Sequence, residues 1–269
     1  MDTPLLLSQI HVKTHVIKKK YKKKNKYLLP YFSAIVIPSL YRSYLFRNAE
    51  LTEREKVTRL CGAFFYGFFI STYLSLCTNT VLKRKMLFYL INCGYDFRSS
   101  MKYSSFVTSV IVAPIFEEIY KGTGMFLPFV FDQLNEVEDG IIFGAEIGNG
   151  FATLENIFYG SRMQNRIQSI ILILIRQCTS SALHTCTTAL VGEGVAQFRV
   201  NCNGNYSNSN IEIYSPVIFK NLCFAILIHA MHNYSCLKKN TIYSLLAQMI
   251  AYCYKLYKLR QKIIRYDTS

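Results

Sequence analysis

An all-α, polytopic integral membrane helix bundle is the fold that this 269-residue sequence predicts, and three observations predict it. Hydrophobic residues make up 51% of the chain and mean hydropathy is +0.17, more than a soluble core of this length needs. The apolar residues gather in runs, most of them near the ~20 residues required to cross a hydrocarbon core. The formal charge of +15 lies beside those runs rather than on them.

The runs fall at about 28–47, 59–81, 104–121, 122–132, 139–160, 168–192, 215–237 and 241–257, which gives about 7–8 transmembrane helices with the active site inside the bundle. The run at 122–132 is short and carries Gly122, Gly124 and Pro128, so it reads as a half-span or as a continuation bent after Lys121. An apolar patch at 86–95 is too short to count. Trp is absent while Tyr numbers 20, so an interfacial aromatic belt must be built from Tyr. The resulting division is a basic N-terminal tail over 1–27, a membrane domain over 28–257 with its polar motifs between 113 and 233, and a basic C-terminal tail over 258–269.

Eight lysines lie between Lys13 and Lys26, and a second basic cluster runs from Lys255 to Arg265. Such clusters beside spans are topology signals resting on anionic lipid, and the expected partner is the bilayer rather than nucleic acid. The N-terminus is expected to be cytosolic, in a multi-pass protein of an unspecified membrane. No signal peptide is expected, because the basic cluster follows the short leucine run instead of preceding it. Further clusters at Lys83-Arg84-Lys85, Arg162 with Arg166, and Lys238-Lys239 leave the topology after the first helix open. Nine cysteines without a C-x-x-C pair argue against a metal cage or disulfide framework, and a thiol buried in an apolar run packs as a small hydrophobe. An Asn205-Tyr206-Ser207 sequon sits in the polar 199–214 loop.

Four polar islands interrupt the apolar runs: Glu117-Glu118-x-x-Lys121, Phe151-x-x-x-Glu155, His184, and His229-x-x-x-Asn233. A charge at the centre of a spanning helix costs about 2.5–3.5 kcal/mol on insertion scales, and such residues mark sites or proton pathways. Glu117 and Lys121 are four residues apart and share a helical face, with Glu118 about 100° away, so Glu117 can pair with Lys121 while Glu118 needs another purpose. Gly140, Gly144, Gly148 and Ala152 form a small-residue stripe for close helix approach, and Glu155 falls within about 20° of Gly144 and Gly148. Glu146 falls on the other side, while Asn149 and Asn156 add hydrogen-bonding capacity. Taken singly, each island also reads as a structural ion pair, a satisfied histidine or interhelical glue. Together, carboxylates from two segments and imidazoles from two others form the set needed to deprotonate a water and stabilise an oxyanion.

At these residues the chain resembles the PrsW-type glutamic intramembrane proteases, in one superfamily with the CAAX prenyl proteases and the Abi proteins. The likeness runs from Ala113-Pro114-x-x-Glu117-Glu118-x-x-Lys121-Gly122 through Asp139-Gly140 and Gly150-Phe151-Ala152-x-x-Glu155-Asn156-x-x-Tyr159. It continues with His184 and ends at His229-Ala230-x-x-Asn233. The Phe-x-x-x-Glu form of the second motif is that of the PrsW branch, and Ala182-Leu183-His184-Thr185 departs from the His-Ala common there. The resemblance implies hydrolysis of membrane-protein or membrane-anchored peptide substrates, with Glu117 as general base, Glu118 in support and Lys121 tuning the pair. It further implies that Glu155 and His184 orient the water and that His229 and Asn233 stabilise the oxyanion, with Phe151 and Asn156 in supporting places. No cofactor and no metal ligand are expected; zinc on Glu117, Glu155, His184 and His229 is the alternative. The rival readings are a substrate-sequestering pseudoprotease of the same fold and a proton-coupled transporter, the latter without an apparent inverted repeat.

Overall fold

The computed structural model describes residues 28–50, 54–202, 206–237, 258 and 261–265. The expected span at 241–257, the N-terminal tail, most of the C-terminal basic cluster, Lys238-Lys239 and Asn205 of the sequon lie outside them. Among the described residues the fold is all-α, with no strand.

Helix α1 covers Leu28–Arg47. Helix α2, Val57–Asn92, is α-helical except for a π-helical stretch at Tyr66–Ser71. Helix α3 covers 97–123 and carries a second π-helical stretch at Thr108–Val112, ending five residues before Glu117. Its start is set by Asp96, whose carboxylate accepts from the Ser99 amide at 3.0 Å; hydrogen bonds from Ser99 hold that carboxyl below its ordinary range. The doubtful 122–132 run resolves into a 3-10 turn at Gly124–Phe126 and a one-turn helix α4 at Pro128–Phe131, as its glycines and proline require.

Helix α5, Val137–Ser161, begins with a capping box between Glu136 and Asp139 and runs through the middle of the molecule. It packs most extensively against α7, Ser180–Cys202, and also against α1 and the first half of α2. The small-residue stripe explains the α5/α7 contact: a Cβ added at Gly144 or Gly148 would collide with the carbonyl oxygen of Thr188 or His184. The sequence run at 168–192 is not one helix. It divides at Thr179 into α6, Arg166–Cys178, and α7, with Thr179 at φ −114° and ψ −85°. No proline or glycine marks that break; Thr179 turns the chain while its hydroxyl donates back to the Ile175 carbonyl at 3.0 Å. A short α8, Asn208–Tyr214, occupies part of the expected loop and leads into α9, Pro216–Leu237.

A buried polar cluster sits beside an apolar core, and large apolar side chains are also exposed. Glu117, Glu118, Lys121, Glu146, His184 and His229 are buried, while Phe32, Ile37, Leu40, Phe69, Phe219, Leu227 and Met231 are exposed. Large exposed apolar faces on a helical bundle are what lipid covers. By length and hydropathy, two stretches among the described residues are long and apolar enough to cross a membrane: Val57–Asn92 and Asn208–Leu237. Of the expected 7–8 crossings, these two are the ones that length and hydropathy support among the described residues. Helix α5 has 25 residues, but its buried acids and glycines dilute its hydropathy, and the split at Thr179 leaves α6 with 13.

Candidate active site

The site forms where α3, α5, α7 and α9 converge. Helix α3 delivers Glu117, Glu118 and Lys121, α5 delivers Phe151 and Glu155, α7 delivers His184, and α9 delivers His229. The pairing inferred from spacing is corrected here. Lys121 Nζ bonds Glu118 Oε1 at 2.7 Å, not Glu117, and both side chains are fully buried. Positions three and four apart share a helical face equally well. The packing decides between them, because α7 and α9 cover the Glu118 side. Glu118 Oε1 also accepts from Thr187 Oγ1 at 3.1 Å and lies 2.7 Å from His229 Nδ1. Glu118 is thus a buried anchor, and Glu117 is the carboxylate left facing the cavity.

Proton positions follow from the partners. An ammonium has donors only, so His184 Nδ1, 3.2 Å from Lys121 Nζ, accepts. Its Nε2 then carries the hydrogen and donates to Glu155 Oε2 at 3.1 Å. His229 donates through Nδ1 to Glu118, which directs its Nε2 lone pair toward Glu117 Oε2, 3.7 Å away. That separation is too long for a direct hydrogen bond and suits two groups sharing a third. The rings of His184 and His229 meet edge to face at 4.9 Å, and Phe151 packs 4.9 Å from His184 with Lys121 Nζ 5.2 Å over its ring.

Glu155 is held by Arg176 Nη2 at 2.5 Å, and Arg176 Nε donates to Asn156 Oδ1 at 2.8 Å. Asn156 in turn donates to Ser181 Oγ at 2.8 Å. Asn156 therefore stands behind the site, holding Arg176. Asn233 lines the cavity but commits one Nδ2 hydrogen to the Ser109 carbonyl, 2.8 Å away in the π-helical stretch of α3. Glu146 and Asn149 lie apart from the site, in a buried network with Ser39, Arg42 and Ser43 of α1.

Two residues that the sequence reading did not place in the site belong to it. Asn79 of α2 donates to Glu117 Oε1 at 3.1 Å. Arg176 fixes Glu155 and stacks 3.8 Å over Tyr159. Arg176 had a legible signal, a single charge ending the Ile170–Ile175 run; Asn79, between Thr78 and Thr80, looks like an ordinary polar end of a span.

Two cavities open outward and meet at Asn79, Glu117, Glu155 and Tyr159. The larger, about 350 Å³, is bounded by Ser109, His184, His229, His232 and Asn233. The smaller, about 150 Å³, lies between α2 and α5 against Thr72, Ser75 and Phe151. Ligand atoms of Glu117, His184 and His229 lie within 4.8 Å of one another, a two-imidazole, one-carboxylate donor set of the kind that holds zinc.

Residues 55–257 match the family described as PrsW family intramembrane metalloprotease. The chain is 25% identical over 208 residues to Protease PrsW of Clostridioides difficile (strain 630), across 77% of this chain and 79% of that one. No solved structure matches.

Proposed function

Since this chain belongs to the PrsW family of intramembrane metalloproteases, we propose that it cleaves membrane-protein substrates with a water activated at Glu117. The observation that carries this reading is the convergence of Glu117, Glu155, His184 and His229, from four helices, on one open cavity. Glu117 is the general base, taking a proton from water as the oxygen attacks the carbonyl carbon and returning it to the departing amine. Asn79 holds Glu117 Oε1 and leaves Oε2 toward His229. Glu118 and Lys121 neutralise each other and aim the two imidazoles. The second amide hydrogen of Asn233 is the donor on the cavity wall available to the developing oxyanion, and His229, its Nδ1 hydrogen committed to Glu118, joins it only with Nε2 protonated.

A metal-assisted form is favoured by the Glu117, His184 and His229 donor set and by the Glu118 carboxylate behind His229, the usual outer partner of a metal-bound imidazole. Zinc bound there would supply Lewis acidity and a more acidic water. His184 fits less simply, because its outer partner is a cation and its Nε2 proton must leave before that nitrogen can ligate. The pseudoprotease and transporter alternatives draw no support from the matches.

The test compares membrane-protein fragments from cells carrying the wild type and Glu117→Gln. The variant is expected to abolish specific fragments at unchanged protein level; fragments persisting in Glu117→Gln cells would sink the reading. Chelation followed by zinc addition separates the two forms. Loss and recovery of cleavage, with stoichiometric zinc in the purified protein, indicates the metal form, and indifference to both indicates the carboxylate form.

A further inference from the structure

A chain cut inside a membrane must first unwind, because an α-helix ties up its carbonyls and amides in its own hydrogen bonds. The freed backbone groups have no water to turn to in a bilayer and need partners from the enzyme. The wall of the smaller cavity carries the complementary feature. Ser71, Ser75 and Asn79 recur every four residues on one face of α2, and Ser71 Oγ, Ser75 Oγ and Asn79 Oδ1 are buried with no hydrogen-bond partner. Folded proteins leave few buried polar atoms unpaired. Three on one helix face, two of them on a cavity wall, therefore call for an explanation.

Ser75 is only 2% exposed and lines this cavity together with Asn79, Glu117 and Glu155. Four residues of helix advance about 6 Å, and two residues of extended chain advance about 6.6–6.8 Å while bringing backbone groups back to the same side. Successive polar atoms on α2 therefore match alternate amides of an extended peptide. The entry side agrees, because α2 packs closely on α5 up to Ser71 and only lightly beyond it.

We propose that Ser75 and Asn79 accept backbone N–H groups of an unwound substrate segment lying between α2 and α5, with Asn79 placing the amide beside Glu117. This rests on the hydrolytic reading and adds the substrate class: a membrane segment whose helix yields locally, as at paired glycines.

The test uses the full chain as Glu117→Gln in lipid vesicles, so that binding is read without cleavage. The probes are a lysine-flanked Leu/Ala transmembrane peptide with a central Gly-Gly, and its analogue with esters replacing the amides flanking that pair, which deletes N–H donors. The amide peptide should bind about fivefold or more tightly than the ester, the effect of about one hydrogen bond. Ser75→Ala with Asn79→Ala should bring that ratio close to one. Ser75→Ala alone, which leaves the contact with Glu117 in place, should lower the ratio and serves if the double variant does not fold. Equal binding of amide and ester, a ratio unchanged by Ser75→Ala, or no binding of the amide peptide overturns the proposal. The hydrolytic reading fails separately, by persistence of the membrane fragments in Glu117→Gln cells.

Discussion

Lys121 is a cation with no exposed surface, held by the Glu118 carboxylate, the His184 ring nitrogen and the face of Phe151. Removing one partner of a buried pair leaves an uncompensated charge and typically costs about 3–5 kcal/mol. Lys121→Met should accordingly lower the thermal midpoint of the purified protein strongly, whereas Glu117→Gln should leave it nearly unchanged. Similar midpoints for the two variants would mean that Glu118 and Lys121 are not the structural pair. At this scale the residues that converge in the candidate site were legible: Glu117, Glu155, His184 and His229 all stand out as ionisable intruders in apolar runs. Which carboxylate Lys121 takes was not legible, because spacing along one helix is silent about which neighbours cover which face. Asn79 was illegible for a similar reason, since its role exists only through a residue 38 positions away.

At the level of elements, the α5/α7 contact sets the distance between the second and third polar islands. Gly148 faces the His184 carbonyl directly, so a larger side chain there must push α7 away. Gly148→Val should destabilise the protein by about 1–3 kcal/mol, the usual cost of overpacking. It should also lose cleavage activity more completely than its stability loss explains, because the His184–Glu155 contact opens with the helices. A thermal midpoint and a cleavage assay on the same preparation check both, and full activity in that variant would deny the stripe its part in building the site. The stripe could be read because small residues every four positions mean close approach on any helix. The break at Thr179 could not, since neither hydropathy nor any glycine or proline marks it, while the π-helical stretches do carry local marks, Gly67 inside the first and Pro114 just after the second, which has no N–H for the carbonyl four residues back. Thr179 lets α6 bring Arg176 to Glu155, and the stretch at Thr108–Val112 presents the Ser109 carbonyl to Asn233.

Taken whole, the molecule buries a cluster of charges at the site and shows large apolar side chains outside. Leu227 on α9 is 56% exposed within one of the two apolar stretches. Leu227→Asp should reduce membrane integration, a charge at a span centre costing about 2.5–3.5 kcal/mol on insertion scales. Leu227→Ala should integrate normally. Carbonate extraction of membranes distinguishes the two, and equal extraction would place this face of α9 outside the lipid. The all-helical class followed from composition and run length, whereas run length alone does not fix the number of crossings, because a helix such as α5 is long enough to span and yet is sheathed by its neighbours. The meeting of the two cavities at Glu117 and Glu155 has one more consequence, for turnover. If the proposed hydrolysis takes place there, a chain severed at this junction would become two pieces, each with a cavity of its own to leave by, and neither would have to retreat past the other.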